Sequence, residues 1–212
     1  MDIKKFLVPD ADLSGINLSD ANLSGLDLSS TILEKANLSM ANLTNVVLTN
    51  ANLSHANLFG TNLINANLLG ANLSDANLSY AILSFSKLDN ANLTNANLTK
   101  AHLEMADPDH DDLSMTGANM TGANLTGATL WLADLTNADL TNANLSDADL
   151  TGVNLSGANL FFANLTLADL TGANLVGAIL SYANLTEAIL SHQGLDGANL
   201  TGATMPDGTT KD

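Results

Sequence analysis

From Leu13 to Leu103 a leucine recurs at every fifth position without a miss, and from Met120 to Met205 an apolar centre does so again, with methionine only at the two ends of that second run. Two residues before each centre there is usually an alanine, with Asn or Asp between them. A straight helix turns about 100° per residue, so a period of five rotates the leucine by about 140° each time and spreads it around the axis. A straight strand alternates its sides, so an odd period sends successive leucines to opposite faces. Neither makes one buried surface. Within a pentad, however, Ala and Leu are two apart and share a side, while the residue between them faces away. If A-N-L is a short extended piece and the next two residues, Ser or Thr then Gly, Asn or Asp, turn a corner, every leucine can point to a common interior. Stacked coils then pair their backbone groups at about 4.8 Å and bury leucine in continuous columns. The pattern predicts an all-β solenoid, in which length measures extension along one axis and not domain count.

Composition fits a narrow interior. Apolar residues make up 46% of the chain but aromatics only 4%, so Leu and Ala supply most of the core. The 22 acids face six lysines and no arginine, a formal net charge of −16. Direct nucleic-acid binding is excluded on this ground, since phosphate neutralisation needs clustered Lys or Arg, and anionic membranes are disfavoured likewise. What remains is solubility by self-repulsion, or a protein partner with a basic surface. With no cysteine there is no disulfide framework or thiolate chemistry. The N-terminal MDIKKFLVPD has too short an apolar run for a signal peptide and no stretch approaches a membrane span, so the expected location is cytoplasmic.

The run ADLTNADLTNANLSDADLTG, Ala133 to Gly152, resembles the pentapeptide repeat family: a small residue, Asp/Asn, Leu/Phe, Ser/Thr/Arg, then often Gly. The likeness covers residues 11–103 and 118–205, where 35 of 37 centres are Leu. It implies a right-handed quadrilateral β-helix with four pentads per coil and about nine coils, roughly 45 Å of rod at the inter-strand spacing. It also implies that Leu and Ala point inward and the other three positions outward. Ile16, Leu26, Val46 and Val153 enlarge the small inward position, and Thr31, Thr61, Ser86 and Gln193 make it polar. A local bulge or a bonded amide is expected at Gln193. Phe6, Leu7 and Val8 are expected to cover the first coil, and the C-terminal MPDGTTKD is a polar tail with no capping-helix pattern.

One loop interrupts the rod. Leu103 and Met120 are 17 residues apart, three pentads plus two, and reading straight through would put Pro108 in a leucine slot and Asp111 in an alanine slot. Burying an unpaired aspartate is costly. Residues 105–117 are therefore read as an acidic loop or bulge: either Met105 to Thr116 leave the coil and Ala118 resumes it, or the coil continues with a two-residue corner at Thr116 and Gly117. The remaining organisation is a cap at 1–10, coils at 11–104 and 118–205, and a tail at 206–212.

Catalytic chemistry finds no footing. His55, His102, His110 and His192 are scattered, without partners at metal or triad spacing. Asp107, Asp109 and Asp111 have the alternation of the first EF-hand ligands, but Asp112 stands where Gly is needed and Ala118 where the bidentate Glu belongs. Neither a metal nor a cofactor is expected. The N-x-S/T matches are a by-product of the repeat. Trp131, Phe161 and Phe162 take outward positions normally polar. Thr121, Thr141 and Thr201 would share one column, which Phe161 and Ser181 interrupt, so an ordered threonine array for ice binding is not favoured.

The expected function is a non-enzymatic protein-interaction or scaffold rod with an acidic surface. Residues 101–210 hold 13 acids and no Lys or Arg, whereas residues 1–100 net only −3. That half carries one charge per about 2 Å of rod with the loop and about 3 Å without it, against one per roughly 1.7 Å in duplex DNA. The alternative is thus a DNA mimic modulating DNA gyrase or another DNA-binding protein, as some pentapeptide repeat proteins do in quinolone resistance. Candidate partner-binding residues are Asp107, Asp109, Asp111, Asp112, Asp134, Asp139, Asp149 and Asp169. Monomer or dimer is left open.

Overall fold

The structure, a computed structural model, describes residues 6–104, 114–190 and 195–212. Each outward residue between Ala and Leu bridges, in parallel, the residue 20 further on: Asp12 to Ile32, Asn17 to Asn37, Asn22 to Asn42 and Asp27 to Val47. Twenty residues are four pentads, and the chain is the expected right-handed quadrilateral β-helix. We number its faces in chain order from those four starting residues. Bridges are single except where β1 (Asp169–Leu170) pairs in parallel with β2 (Ile189–Leu190). No helix among the described residues is long and apolar enough to cross a membrane.

Each residue type in the phrase has a bond that accounts for it. Leu18 N–H donates to the Asn37 carbonyl at 2.7 Å and Asn37 N–H to the Ile16 carbonyl at 2.8 Å, so each extended triplet is pinned to the next coil. Ala21 N–H closes a β-turn onto the Leu18 carbonyl at 3.1 Å, with Asp20 at φ 57. That left-handed corner is why Gly, Asn and Asp fill the fifth position. The side chain of Asn17 reaches forward to accept the Ser19 N–H at 3.1 Å, which explains Asn or Asp before the leucine.

Leucines from Leu28 to Leu103 are almost free of solvent, alternating with buried alanines. Val46 and Val153 are fully buried, whereas Ile16 and Leu26 in the first coil are half-buried. The inward Thr31, Thr61 and Ser86 are fully buried, and their hydroxyls donate to the carbonyls of Leu28, Leu38 and Leu83. Bonding matters, because an unsatisfied buried hydroxyl costs about 1–3 kcal/mol. Gln193 lies outside the described residues.

The interruption matches neither reading of the sequence, being shorter than a twelve-residue loop and longer than a two-residue corner. Lys87 bridges Ser114, Asn92 bridges Asn119, Asn97 bridges Asn124 and His102 bridges Thr129, an offset of 27 in place of 20, so seven residues are inserted. The coil resumes by Ser114 and not at Ala118. Met115 is fully buried, its N–H donating to the Asp134 carbonyl at 2.8 Å, and Gly117 is an ordinary left-handed corner at φ 66. Ser114 to Gly117, S-M-T-G, thus continue the coil in a form that a search for Ala and Leu overlooks, because methionine fills the central slot.

The ends also differ from expectation. Leu7 is buried, but Phe6 and Val8 are exposed, so the first coil is covered by one side chain and not three. The C-terminal tail turns back: Thr204 bridges Thr210 antiparallel, and Met205 N–H donates to the Thr209 carbonyl at 2.7 Å. This hairpin occupies part of an edge that would otherwise invite strand addition.

Where Asp replaces Asn before the leucine, the corner bond becomes charge-assisted. Asp12 accepts the Ser14 hydroxyl at 2.6 Å and the Ser14 N–H at 3.0 Å, and these bonds, the hydroxyl first, hold its carboxyl below the ordinary 3.8. A lowered value in the folded chain means stability that is present above the unfolded value and lost as pH falls through the folded one. An NMR carboxyl titration is expected to give Asp12 a midpoint below 3.8, with Ser14→Ala moving it upward.

Candidate interaction surfaces

The acidic candidates do not share one face. Asp134 lies on the fourth face and Asp139 on the first, whereas Asp149 and Asp169 lie on the third and bridge one another on adjacent coils. Asp107, Asp109, Asp111 and Asp112 lie outside the described residues. Asp147 and Glu187 occupy the corner between the second and third faces. Glu104 lies on the third face and Ser114 on the fourth, so the seven-residue insertion opens at the corner joining those faces. The Ser114 hydroxyl donates to Asp89, and Thr116 to Asp134 at 3.3 Å, so two fourth-face carboxylates flank that corner.

These carboxylates support corners as Asn would. Asp139 accepts the Thr141 N–H and hydroxyl at 3.0 and 2.6 Å; Asp149 and Asp169 accept the N–H groups of Thr151 and Thr171 at 3.0 and 2.9 Å. Asn at such a position can also donate to the next coil, which a carboxylate cannot. Two carboxylates directly opposite are destabilising. The fold alone therefore favours Asn at both Asp149 and Asp169.

The second face is different. Its outward column before the leucines reads Asn17, Asn37, Asn57, Asn77, Asn97, Asn124, Asn144, Asn164, Asn184 and Thr204, and its column after them runs Ser19, Ser39, Phe59, Ser79, Thr99, Thr126, Ser146, Thr166, Thr186 and Pro206. Neither column has a charge. Amide bonds run coil to coil, from Asn37 to Asn17 at 3.0 Å, Asn57 to Asn37 at 3.1 Å and Asn164 to Asn144 at 2.9 Å. Threonine hydroxyls relay the chain elsewhere, as where Asn124 donates to Thr99 at 3.0 Å and Thr99 to Asn97 at 2.6 Å. Much of the polar capacity is spent within the face.

Aromatic residues gather at its corners. Phe162 and Tyr182 stack at 5.2 Å with planes 19° apart at the first–second corner, and Phe161 meets both edge-on at 4.5 and 5.8 Å. Phe59 lies 5.6 Å from Tyr80 at the second–third corner, and the Lys100 ammonium sits 5.9 Å from the Tyr80 ring. A side chain of this size in a left-handed corner costs on the order of 1 kcal/mol relative to Gly. Gly202 leaves room for Tyr182, whose ring would stand 2.6 Å from a Cβ there, and Gly60 does the same for the Met40 sulfur. Phe161 and Phe162, which look isolated in sequence, are clustered in space. Tyr182 and the Phe59–Tyr80 pair were missed by sequence reasoning; the available signal was their separation by about one coil.

The described surface offers little for chemistry. His55 is 3.9 Å from Asp75 and His102 is 3.5 Å from Glu104, both pairs well exposed. No group of three His, Cys, Asp or Glu among the described residues could hold a metal. A recess of about 380 Å³ at the C-terminal end is walled by Ala188, Leu190, Leu195 and Met205, with Asp207 and Lys211 at its lip. It is the apolar core reaching the end of the rod.

A four-sided solenoid of leucine-centred pentads defines a class of repeat protein. The chain belongs to the pentapeptide repeat family: the family model for pentapeptide repeats matches in eight copies across residues 11–50, 51–84, 83–107, 118–157 and 154–191. Proteins of this family are in general structural or interaction proteins. Among solved structures, the chain is similar to HetL, a pentapeptide repeat protein involved in heterocyst differentiation regulation from the cyanobacterium Nostoc sp. strain PCC 7120. That match is 32% identical over 96% of this chain and 90% of HetL, with a TM-score of 0.32. Rfr23 from the cyanobacterium Cyanothece 51142 is also 32% identical, over 62% of this chain and 91% of Rfr23, TM-score 0.40. QnrB1, a plasmid-mediated fluoroquinolone resistance protein, is 17% identical over 89% of this chain and 90% of QnrB1, TM-score 0.46. No curated protein matches the chain.

Proposed function

We propose that this chain is a non-enzymatic interaction rod that presents the acidic side formed by its third and fourth faces to a protein partner with a basic surface. The observation that carries this reading is the Asp149–Asp169 pair. Like charges directly opposite destabilise a ladder that asparagine would satisfy, so the pair is explained by something outside the chain that it attracts. Glu104, Asp89 and Asp134 extend the negative field around the corner where the insertion opens, and the four aspartates of the insertion add to it. The DNA-mimic reading has less support. It calls for carboxylates recurring along one side, whereas the described carboxylates of the second half divide among the first, third and fourth faces and one corner.

The test separates stability from binding. Asp149→Asn with Asp169→Asn is expected to raise stability by about 0.5–1 kcal/mol in denaturant unfolding, as two amides replace facing carboxylates. The same variant is expected to lose proteins that the wild-type rod captures from bacterial lysate at low salt, the retained set shrinking as salt is added. An identical set on both rods would refute the acidic-side reading. Inhibition of a gyrase supercoiling reaction by wild type and not by the variant would revive the DNA-mimic alternative.

A further inference from the structure

We infer that the second face is a self-association face, on which the second face of another copy of this chain seats. The inference rests on reading the chain as an interaction rod, but it uses a different face from the acidic one.

Charge selects the face. Every copy carries a formal −16, so two copies repel least where the columns that meet hold no carboxylates. The first face holds Asp12, Glu34 and Asp139, the third Glu104, Asp149 and Asp169, and the fourth Asp27, Asp89, Asp134 and Asp196. The second face has none in either outward column from Asn17 to Pro206, its nearest carboxylates being the corner residues Asp20, Asp75, Asp147, Glu187 and Asp207.

Backbone strain points to the same place. Seven bulky apolar or aromatic residues occupy left-handed corners among the described residues: Met40, Tyr80, Phe85, Leu132, Phe162, Leu167 and Tyr182. Five of them border the second face; the exceptions are Phe85 and Leu132. The corner between the fourth and first faces, diagonally away, carries only Asp, Ser, Asn and Gly. All five bordering residues are about half exposed or more, up to 58% for Met40. Large side chains held at unfavourable corners and left in water are explained by a partner that covers them.

The occupant follows from what the face lacks. Its central columns have no charge for a basic or acidic partner to read and few unspent hydrogen bonds. It fits a flat surface with an uncharged centre, exposed apolar side chains among its corner residues and the same repeat along its length, and a second copy meets each condition. A face about 43 Å long and about 12 Å wide gives roughly 1,000 Å² over both copies, the lower limit for a specific contact. An area at that limit is that of a weak, transient contact.

Sedimentation velocity on the full chain tests this. Wild type is expected to pass from monomer to dimer between about 1 and about 200 µM, and added salt is expected to strengthen the dimer, because it screens repulsion between like-charged rods. Thr126→Glu with Thr166→Glu puts carboxylates on the second face, and Thr94→Glu with Thr141→Glu puts them at the same pentad position on the first. Glu34 and Glu104 already occupy that position on other faces, so the rod accommodates it. The second-face variant is expected to stay monomeric and the first-face variant to dimerise. If the glutamates disturb folding, single cysteines in this cysteine-free chain replace them: Ser146→Cys on the second face is expected to give a thiol-crosslinked dimer, and Ser156→Cys on the fourth is not. Wild type that stays monomeric at high salt and the highest concentration overturns the inference, as do equal responses of the two faces. Asp149→Asn with Asp169→Asn leaves the dimer intact, so failure of the acidic-side reading is read separately.

Discussion

Leu130→Ala is expected to destabilise the rod by about 3–5 kcal/mol, in the upper part of the range for buried leucines, and to lower the midpoint of thermal unfolding by about 10 °C. The cost depends on how far a site can collapse around the lost atoms. Here it can collapse little. Leu130 is fully buried, its own N–H donates to the Asp149 carbonyl at 2.7 Å, and the adjacent Thr129 bridges His102 on one side and Asp149 on the other. The backbone is held from both directions, Leu103 and Leu150 on the adjacent coils are pinned in the same way, and the inward residues nearest along the chain, Ala128 and Ala133, are too short to fill the space. Leu18→Ala, in the first coil where burial is less complete, is expected to cost less. Because each coil contacts only its neighbours, the loss at Leu130 also weakens the link between the two halves of the rod. Hydrogen exchange is expected to show lowered protection in the coils beside it, with the distal coils little changed. A loss below about 1 kcal/mol would mean that the interior repacks freely, against the pinned ladder.

How much of this was legible in the sequence depends on which period carries the information. The five-residue period assigns Leu, Ala and Asn to inside and outside without any knowledge of coil length, and Leu28, Ala36 and Asn37 lie as it requires. The relation between faces depends on twenty, four pentads per coil, and that number came from family resemblance. With it, Phe162 falls directly beside Tyr182. Across the insertion even twenty fails. The sequence allowed an excess of two or twelve residues; the chain uses seven, because Met115 accepts a leucine slot and Ser114 faces outward. Only that offset joins Asn97 to Asn124 and makes the neutral face continuous. The acidic surface was read as a density along the axis, and its division among faces was invisible for the same reason. The candidate aspartates were thus individually legible, but their arrangement was not.

The same offset yields the second large effect. Excising seven residues, Ala106 to Asp112, joins Met105 to Leu113 and restores an interval of five between Leu103 and Met115. The shortened chain is expected to remain a cooperative rod of at least wild-type stability, since a loop no longer has to be closed and its charges are gone. Excising eight, Met105 to Asp112, leaves the circuit one residue short. An extra residue can bulge from a corner, but a missing one cannot be supplied. Thr116 is then drawn to the central slot that Met115 now fills, so the core loses a methionine and gains a hydroxyl. Losing the methionine costs about 2–5 kcal/mol and an unsatisfied hydroxyl about 1–3 more, so denaturant unfolding is expected to separate the two deletions by several kcal/mol. Equal stability in the two would refute the seven-residue offset, and with it the alignment of faces across residues 105–113. The seven-residue deletion also removes Asp107, Asp109, Asp111 and Asp112 at once from a rod whose described faces are unchanged. A partner that still binds it is held by the third and fourth faces themselves; one that is lost was held by the insertion.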